Sequence, residues 1–345
     1  MASSAQLTER QRAILRSVVE AYVSTGQPVG SKTLVQLSSI SVSSSTVRSE
    51  LAELESRGLL THPHTSAGRV PTEIGYRYYA DELLERTDAG PRDFPLDLSG
   101  ARSEIEAALQ ATTEMLSQVN RLLALVSAPP LEATTVRHVE VLLLQPQVAM
   151  VVVITSTGNV SKRLVEFAEP VDPGLAVWAG EYLNETVSGL QLGTTLLRRR
   201  FDDPGLSVRE REFLAALRPA FTELLAPEQR LYVGGAADLL EDVRADELAS
   251  YRRLLELLEK RAAMLEVLGD SLSPGGPFVR LGRELEGFAL YNVALVGACY
   301  GLVHRTLGAV SLIGPVRMDY EKAIRSVRGA ASELSRFVES VFEED

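Results

Sequence analysis

The segment from His62 to Arg77, HPHTSAGRVPTEIGYR, constrains the fold more than any other part of this chain. It is a short polar turn holding a glycine and an arginine, flanked by two short extended pieces. It directly follows two helix-like stretches separated by a serine-rich turn. A helix-turn-helix followed by such a turn has the pattern of a DNA-binding wing, and this position makes an ordinary loop the weaker reading.

The local signals around it are consistent with that pattern. Thr8 with Gln11 three residues on has capping-box spacing, and Ile14, Leu15, Val18, Val19 and Tyr22 repeat at helical intervals up to Gly26. A short second helix begins at Ser31 and carries Leu34 and Leu37. Ser43 is read as the cap of the next helix, whose Val47, Leu51 and Leu54 form one buried stripe ending at Gly58. A fourth helix is expected from Thr72 to about Glu85, anchored by Ile74, Tyr78 and Leu83, with Tyr76, Tyr78 and Tyr79 as packing residues.

In the third helix, backbone N–H groups and the hydroxyls of Ser44 and Ser45 are placed to hold a phosphate. Thr46 can touch a thymine methyl, Arg48 can pair bidentately with guanine, and Ser49 lies on the same exposed side. In the wing, Arg69 is expected in the minor groove or on a phosphate. His62 and His64 add phosphate contacts, Thr65 and Ser66 belong to the same polar tip, and Gly68 allows the turn. Two histidines across one proline, without further ligands, make a poor zinc site.

Charge sets limits on this reading. The chain carries a formal net charge of -11, yet Lys/Arg and Asp/Glu balance over residues 1–87, so the acidity belongs to the remainder. Nonspecific DNA affinity should therefore be modest, and DNA contact confined to the N-terminal part.

At 345 residues, with 45% apolar and 23% charged side chains, two or three cored domains are expected. The single Cys299 precludes an internal disulfide and a Cys-rich metal site, which fits a reducing cytoplasm. No signal-peptide pattern is present, and the apolar runs Val148–Ile154 and Ala289–Val303 are too short to cross a bilayer, so both are read as buried strands.

Beyond a linker at 88–100, residues 101–127 read as one helix, with Ile105, Leu109, Leu116, Val119 and Leu123 apolar. Strands follow at Val139–Leu144 and Val148–Thr155, with an extended piece through Phe167. An acidic helical block occupies about 171–276, with helices near 174–188, 207–225 and 245–268 around a strand at Leu231–Val233. Strands resume at Phe278–Leu281, Asn292–Val303 and Gly308–Ile313, before a last helix from Asp319 to Phe342. Strands on both sides of a helical block suggest one α/β domain interrupted by an insertion. Gly314–Tyr320 (GPVRMDY) is read as a structural turn that could brace the N-terminal head, favoured over a ligand-binding role, in which Arg317 could link to an internal acid.

Enzyme chemistry finds no footing. The four histidines (62, 64, 138, 304) are scattered, and no phosphate loop, metal-ligand spacing or nucleophile elbow occurs. No cofactor is called for.

Three segments resemble the HrcA-type heat-inducible transcription repressors of bacteria: Leu7–Ser31, Ser43–Leu60, and His64–Tyr79. Gly314–Tyr320 is similar to a family signature, and Val279–Tyr300 more loosely so. The family's recognition helix usually reads Ala-Thr-Ile-Arg-Asn where this chain has Ser45-Thr46-Val47-Arg48-Ser49, which removes a possible adenine-reading side chain at Ser49.

The resemblance implies an α+β multidomain protein. A winged-helix domain would occupy 1–87, a discontinuous GAF-like domain 101–170 and 277–345, and an inserted dimerisation domain 171–276. It also implies a homodimer on an inverted-repeat, CIRCE-type operator of double-stranded DNA upstream of chaperonin and related chaperone operons, released on heat stress and modulated by the GroEL chaperonin. Leu254, Leu255, Leu258 and Leu265 are candidate dimer contacts, or else intradomain core. Two other readings compete: a regulator controlled by a small-molecule effector in the GAF-like domain, and an acidic body serving chiefly as a protein-interaction module.

Overall fold

The computed structural model describes residues 7–37, 43–63, 68–86, 94–101, 105–129, 134–156, 160–223, 231–237, 244, 247–269, 276–302 and 304–343. The fold is mixed α+β. Its N-terminal head comprises α1 (Glu9–Thr25), α2 (Ser31–Leu37), α3 (Ser44–Ser56), the two-residue strands β1 (Leu60–Thr61) and β2 (Val70–Pro71), and α4 (Glu73–Arg86). The expected capping box forms: Gln11 N–H donates to the Thr8 hydroxyl at 3.2 Å, and Thr8 N–H donates to the Gln11 side-chain Oε1 at 3.1 Å. Gly26, at φ +66°, ends α1 by donating to the Tyr22 carbonyl. Ile14, Leu15, Val18, Val19, Leu34, Val47, Leu51 and Leu54 fill the space between these helices.

The phase of α4 differs from expectation. Ile74 is 55% exposed, whereas Tyr76, Tyr79 and Ala80 are buried. The helix serves two neighbours at once, and the side facing the rest of the chain is the tyrosine side.

The next segment also departs from the sequence reading. The helix α5 stops at Asn120 (Ile105–Asn120), Arg121 takes φ +52°, and Leu123–Ser127 forms a fully buried strand, β3. A run of five apolar or small residues is ambiguous between helix and strand until its neighbours are known. Here β3 lies inside an antiparallel sheet ordered β7-β3-β10-β9-β8, formed with β7 (Leu231–Gly234), β8 (Phe278–Leu281), β9 (Val293–Leu302) and β10 (Arg305–Pro315). One face packs on α5 and α12 (Tyr320–Glu343) through Leu109, Leu116, Val310, Leu312, Ile324 and Val327. The other is covered by α10 (Leu248–Glu259) and α11 (Arg261–Gly269). This sheet and its helices are the body.

A separate antiparallel sheet, β4 (Val136–Gln145), β5 (Val148–Thr155) and β6 (Val160–Glu166), packs one face on α6 (Pro173–Val187), α7 (Thr195–Phe201), α8 (Val208–Leu217) and α9 (Pro219–Glu223). The strands expected to join those near 278–313 therefore form a sheet of their own. The strand at 231–234 and the helices after it, expected in the insertion, belong to the body. Sheet membership thus departs from the expected 171–276 insertion, because an apolar strand pattern does not say which sheet it joins. Alternate residues of the expected buried strand β5 are buried and the others half-buried, whereas β9 is buried over most of its length. Leu254 is fully buried beneath the five-stranded sheet, with Leu258 and Leu265 packed against the same core, so those three serve the body's interior. No helix among the described residues is long and apolar enough to cross a membrane.

Candidate nucleic-acid interface

The third helix is held from three directions. Its buried stripe locks it into the head core. Ser43 caps its start, accepting from Thr46 N–H at 3.2 Å. Glu50, on its inner side, takes Arg10 Nε at 2.7 Å and Gln11 Nε2 at 3.1 Å from α1. The opposite face is left to solvent: Ser45, Arg48, Ser49, Ala52 and Ser56 are exposed. Arg48 makes no ion pair with another described residue. A fixed helix showing the Arg48 guanidinium, three serine hydroxyls and a methyl has the shape and donor set that can enter a major groove. Ala52, one turn beyond Arg48, was missed in the sequence reading because alanine carries no polar signal, although its methyl suits a thymine.

Other expected residues are engaged elsewhere. The Ser44 hydroxyl lies 3.2 Å from that of Ser31, tying α2 to α3, and both residues are half-buried. The Thr46 hydroxyl lies 2.9 Å from Ser43 Oγ. The Ser45 hydroxyl also lies 2.7 Å from Ser43 Oγ, so it is exposure that singles out Ser45, Arg48 and Ser49 from half-buried Ser44 and Thr46.

The wing residue Arg69 turns inward. Its Nη2 lies 2.8 Å from Glu55 Oε2 on α3, and His62 Nδ1 meets the other oxygen of the same carboxylate. Only 18% of the Arg69 side chain is exposed, and its Nε–H is buried without a partner among the described residues. This placement is at odds with a groove or phosphate contact. Arg69 and His62 instead fasten the β1–β2 pair to α3 through Glu55, and Arg69 also exchanges backbone hydrogen bonds with Val29. Gly68 is needed for that crossing: a Cβ there would sit 2.5 Å from the Val29 carbonyl group. His64, Thr65 and Ser66 lie outside the described residues. Arg69→Ala is accordingly expected to destabilise the chain by about 1–3 kcal/mol, leaving Glu55 half-satisfied. It should leave the salt slope of DNA binding unaltered. A slope lower by about one counterion would return Arg69 to the phosphates.

The head does not stand free. Tyr320, at the start of α12, lies 6.0 Å from the Tyr76 ring and 6.4 Å from the Tyr79 ring, which fixes α4 on the body. Burial pushes all three hydroxyls above the ordinary tyrosine range, so they stay protonated. Arg77 Nη1 donates to the Val279 carbonyl at 2.6 Å, and Glu73 accepts from Arg283 N–H at 2.8 Å. Arg317 pairs with Glu247 at 3.2 Å, the internal acid expected for it. The Gly314–Tyr320 turn is thus a brace.

An acidic strain sits beside this joint. Glu20 on α1 faces Glu82 of α4 and Asp319 and Glu321 of the body, with Arg16 opposing. Partial burial raises its pKa above 4.5; Arg16 pulls it back, and the three carboxylates push it further up. A raised folded-state value favours the fold below the unfolded pKa, and that support is lost as pH rises through the folded value. Glu20→Gln should raise the melting temperature at neutral pH and change nothing below about pH 4. Paired thermal melts check this, and equal stabilisation at both pH values would assign the gain to something other than the charge.

Residues 106–324 match the family model described as HrcA protein C terminal domain. The heat-inducible transcription repressor HrcA of Nocardia farcinica is 35% identical over 344 residues, covering 95% of this chain and 96% of that protein. The repressor of the same name from a Parafrankia species is 35% identical over 340 residues, covering 94% and 97%. A crystal structure of a hypothetical protein superposes with a TM-score of 0.73 at 24% identity, covering 97% of this chain and all of that one, a likeness of fold.

Proposed function

Because the chain belongs to the HrcA family of heat-inducible transcription repressors, we propose that its head is a winged helix that reads an inverted-repeat, CIRCE-type operator and that two copies act together. Family membership makes the protein a repressor of transcription in the heat-shock response. In the finer reading, it binds double-stranded DNA upstream of chaperonin and related chaperone operons and releases it on heat stress, with the GroEL chaperonin favouring the binding-competent population.

The observation that carries this reading is the outward face of α3. Ser45, Arg48 and Ser49 stand exposed on a helix immobilised by its cap, its core stripe and its ties to α1. Ser44 and Thr46 then shape the helix start, and Ser49 replaces the family asparagine. His64, Thr65 and Ser66 are proposed as further DNA contacts of the wing, while Gly68 and Arg69 hold the wing in place. The body is GAF-like, and the unit built on β4–β6 interrupts it between β3 and β7.

Dimerisation is proposed through the outer face of the β4–β6 sheet. Leu142 (39% exposed), Leu144 (52%), Val160 (46%) and Leu164 (60%) lie there beside half-buried Met150, Val152 and Ile154. A C2 dimer matches an operator with two symmetric half-sites.

The test is an anisotropy titration at fixed salt with an intact inverted repeat and with one half-site scrambled. Tight binding lost on scrambling supports the reading. Equal affinity for both overturns it. Operator occupancy indifferent to added chaperonin and to mild heating would overturn the regulatory part alone.

A further inference from the structure

Among the described residues, two contacts between head and body differ in chemistry. The first is apolar and broad: Tyr76 and Tyr79 against Tyr320, flanked by Glu73 and Arg77 on residues 279–284. All of it holds α4. The second is polar and narrow, and it holds α1. Arg244, from the body segment between β7 and α10, donates through Nη1 to the Tyr22 hydroxyl at 3.1 Å, with its guanidinium 6.0 Å above the Tyr22 ring. The arginine is itself set in place. Its backbone N–H donates to Glu247 Oε2 at 3.0 Å, while Oε1 of that 6%-exposed carboxylate takes Arg317 at 3.2 Å. Between the two contacts lies the Tyr76 hydroxyl, buried and without a hydrogen-bond partner among the described residues.

A contact confined to one helix leaves the head freest to turn about that helix. A second contact on another helix removes the rotation. The Tyr320 contact is the pivot, and the Arg244–Tyr22 contact is the stop. Tyr22 lies in the last turn of α1, just before Gly26 leads into α2 and α3. A rotation allowed there would swing the exposed face of α3.

We infer that Arg244, seated by Glu247 and acting through Tyr22, is a positioning residue for operator binding: it sets the angle at which each head leaves the body. This rests on the DNA-binding reading above. A single half-site is indifferent to that angle, because one head can find it alone. Two half-sites at fixed separation are not, because both heads must present their helices in register with the duplex. Arg244 touches no DNA in this scheme, and it acts only when two heads must agree.

The experiment uses the full chain and three duplexes: the family-type inverted repeat, the same repeat with its spacer lengthened by about five base pairs, or half a turn, and a single half-site. Arg244→Met removes the cation and keeps the stem. Tyr22→Phe removes only the hydroxyl. Arg244→Lys restores the charge. Wild type should prefer the native spacer strongly. Arg244→Met should reduce that preference by about tenfold, Tyr22→Phe less, and Arg244→Lys should recover part of it, all with single-half-site affinity within about twofold of wild type. Variants that keep the wild-type spacing preference overturn the inference. So do variants that lose single-half-site affinity in parallel, since that would mean damage to the head itself. A wild-type protein that does not distinguish the repeat from scrambled DNA would remove the DNA-binding reading instead, and this inference with it.

Discussion

Arg48→Ala is expected to weaken binding to the intact inverted repeat by about ten- to a hundredfold per half-site, while binding to scrambled DNA changes by about twofold or less. A bidentate arginine–guanine contact contributes about 1–3 kcal/mol of discrimination. The loss appears in each half of a symmetric operator, so the whole repeat feels it twice. Stability should be unaffected, because Arg48 is exposed and pairs with no described residue, and surface changes of that kind stay within about 0.5 kcal/mol. Ser45→Ala and Ser49→Ala should cost less, since one hydroxyl makes fewer directed bonds than a guanidinium. Titrations at two salt concentrations separate the alternatives. If Arg48→Ala mainly reduces the salt slope and weakens all sequences alike, Arg48 holds a phosphate and the base reader lies elsewhere on α3.

Local chemistry was readable from the sequence, and tertiary pairing was not. The capping box at Thr8 and Gln11, the Ser43 cap and the stripe of Val47, Leu51 and Leu54 are all encoded within a few residues. The head helices therefore lie where their signals place them. The same holds for β5, β8 and α12. Leu123–Ser127 failed because its helical reading and its strand reading bury the same residues. Only its place between β7 and β10 decides the matter. The division into sheets failed for a related reason: alternation reports one buried face, not the identity of the partner.

In the candidate site, exposure of Arg48 followed from its phase on α3, off the apolar stripe. The fate of Arg69 did not follow from anything local. Glu55, its partner, lies fourteen residues earlier and is one of nine acidic residues in the head's sequence. Arg244 is more distant still, 222 residues from the tyrosine it meets. Charged residues in a sequence announce that they are charged, and a fold decides whether they face solvent, substrate or one another.

The remaining large effect concerns the sheet face. Leu142, Met150 and Leu164 are neighbours across β4, β5 and β6, and Ile154 stands beside Val160 at the other end. Between them Glu140 and Lys162 flank Val152 in one row. Monomeric proteins rarely leave contiguous apolar patches beyond a few hundred Å² uncovered. In the proposed C2 dimer a second copy would cover this face with its own, setting one copy's Glu140 against the other's Lys162. Leu164→Glu places a carboxylate on the apolar row twice, once from each protomer. The expected result is a dimer weakened by at least about a hundredfold, as befits an unpaired charge buried at an interface. The monomer should melt as before, because Leu164 is 60% exposed within the chain. Operator affinity should fall with the dimer, since linkage of two binding modules contributes about 10²–10⁴ in avidity, while single-half-site affinity is retained. Val208→Glu, an equally exposed site at 63% on α8, is the control and should change none of these. Sedimentation across a concentration series reads the outcome directly. If Leu164→Glu sediments as wild type does, the two copies meet through another surface, and the apolar rows of this sheet answer to a different partner.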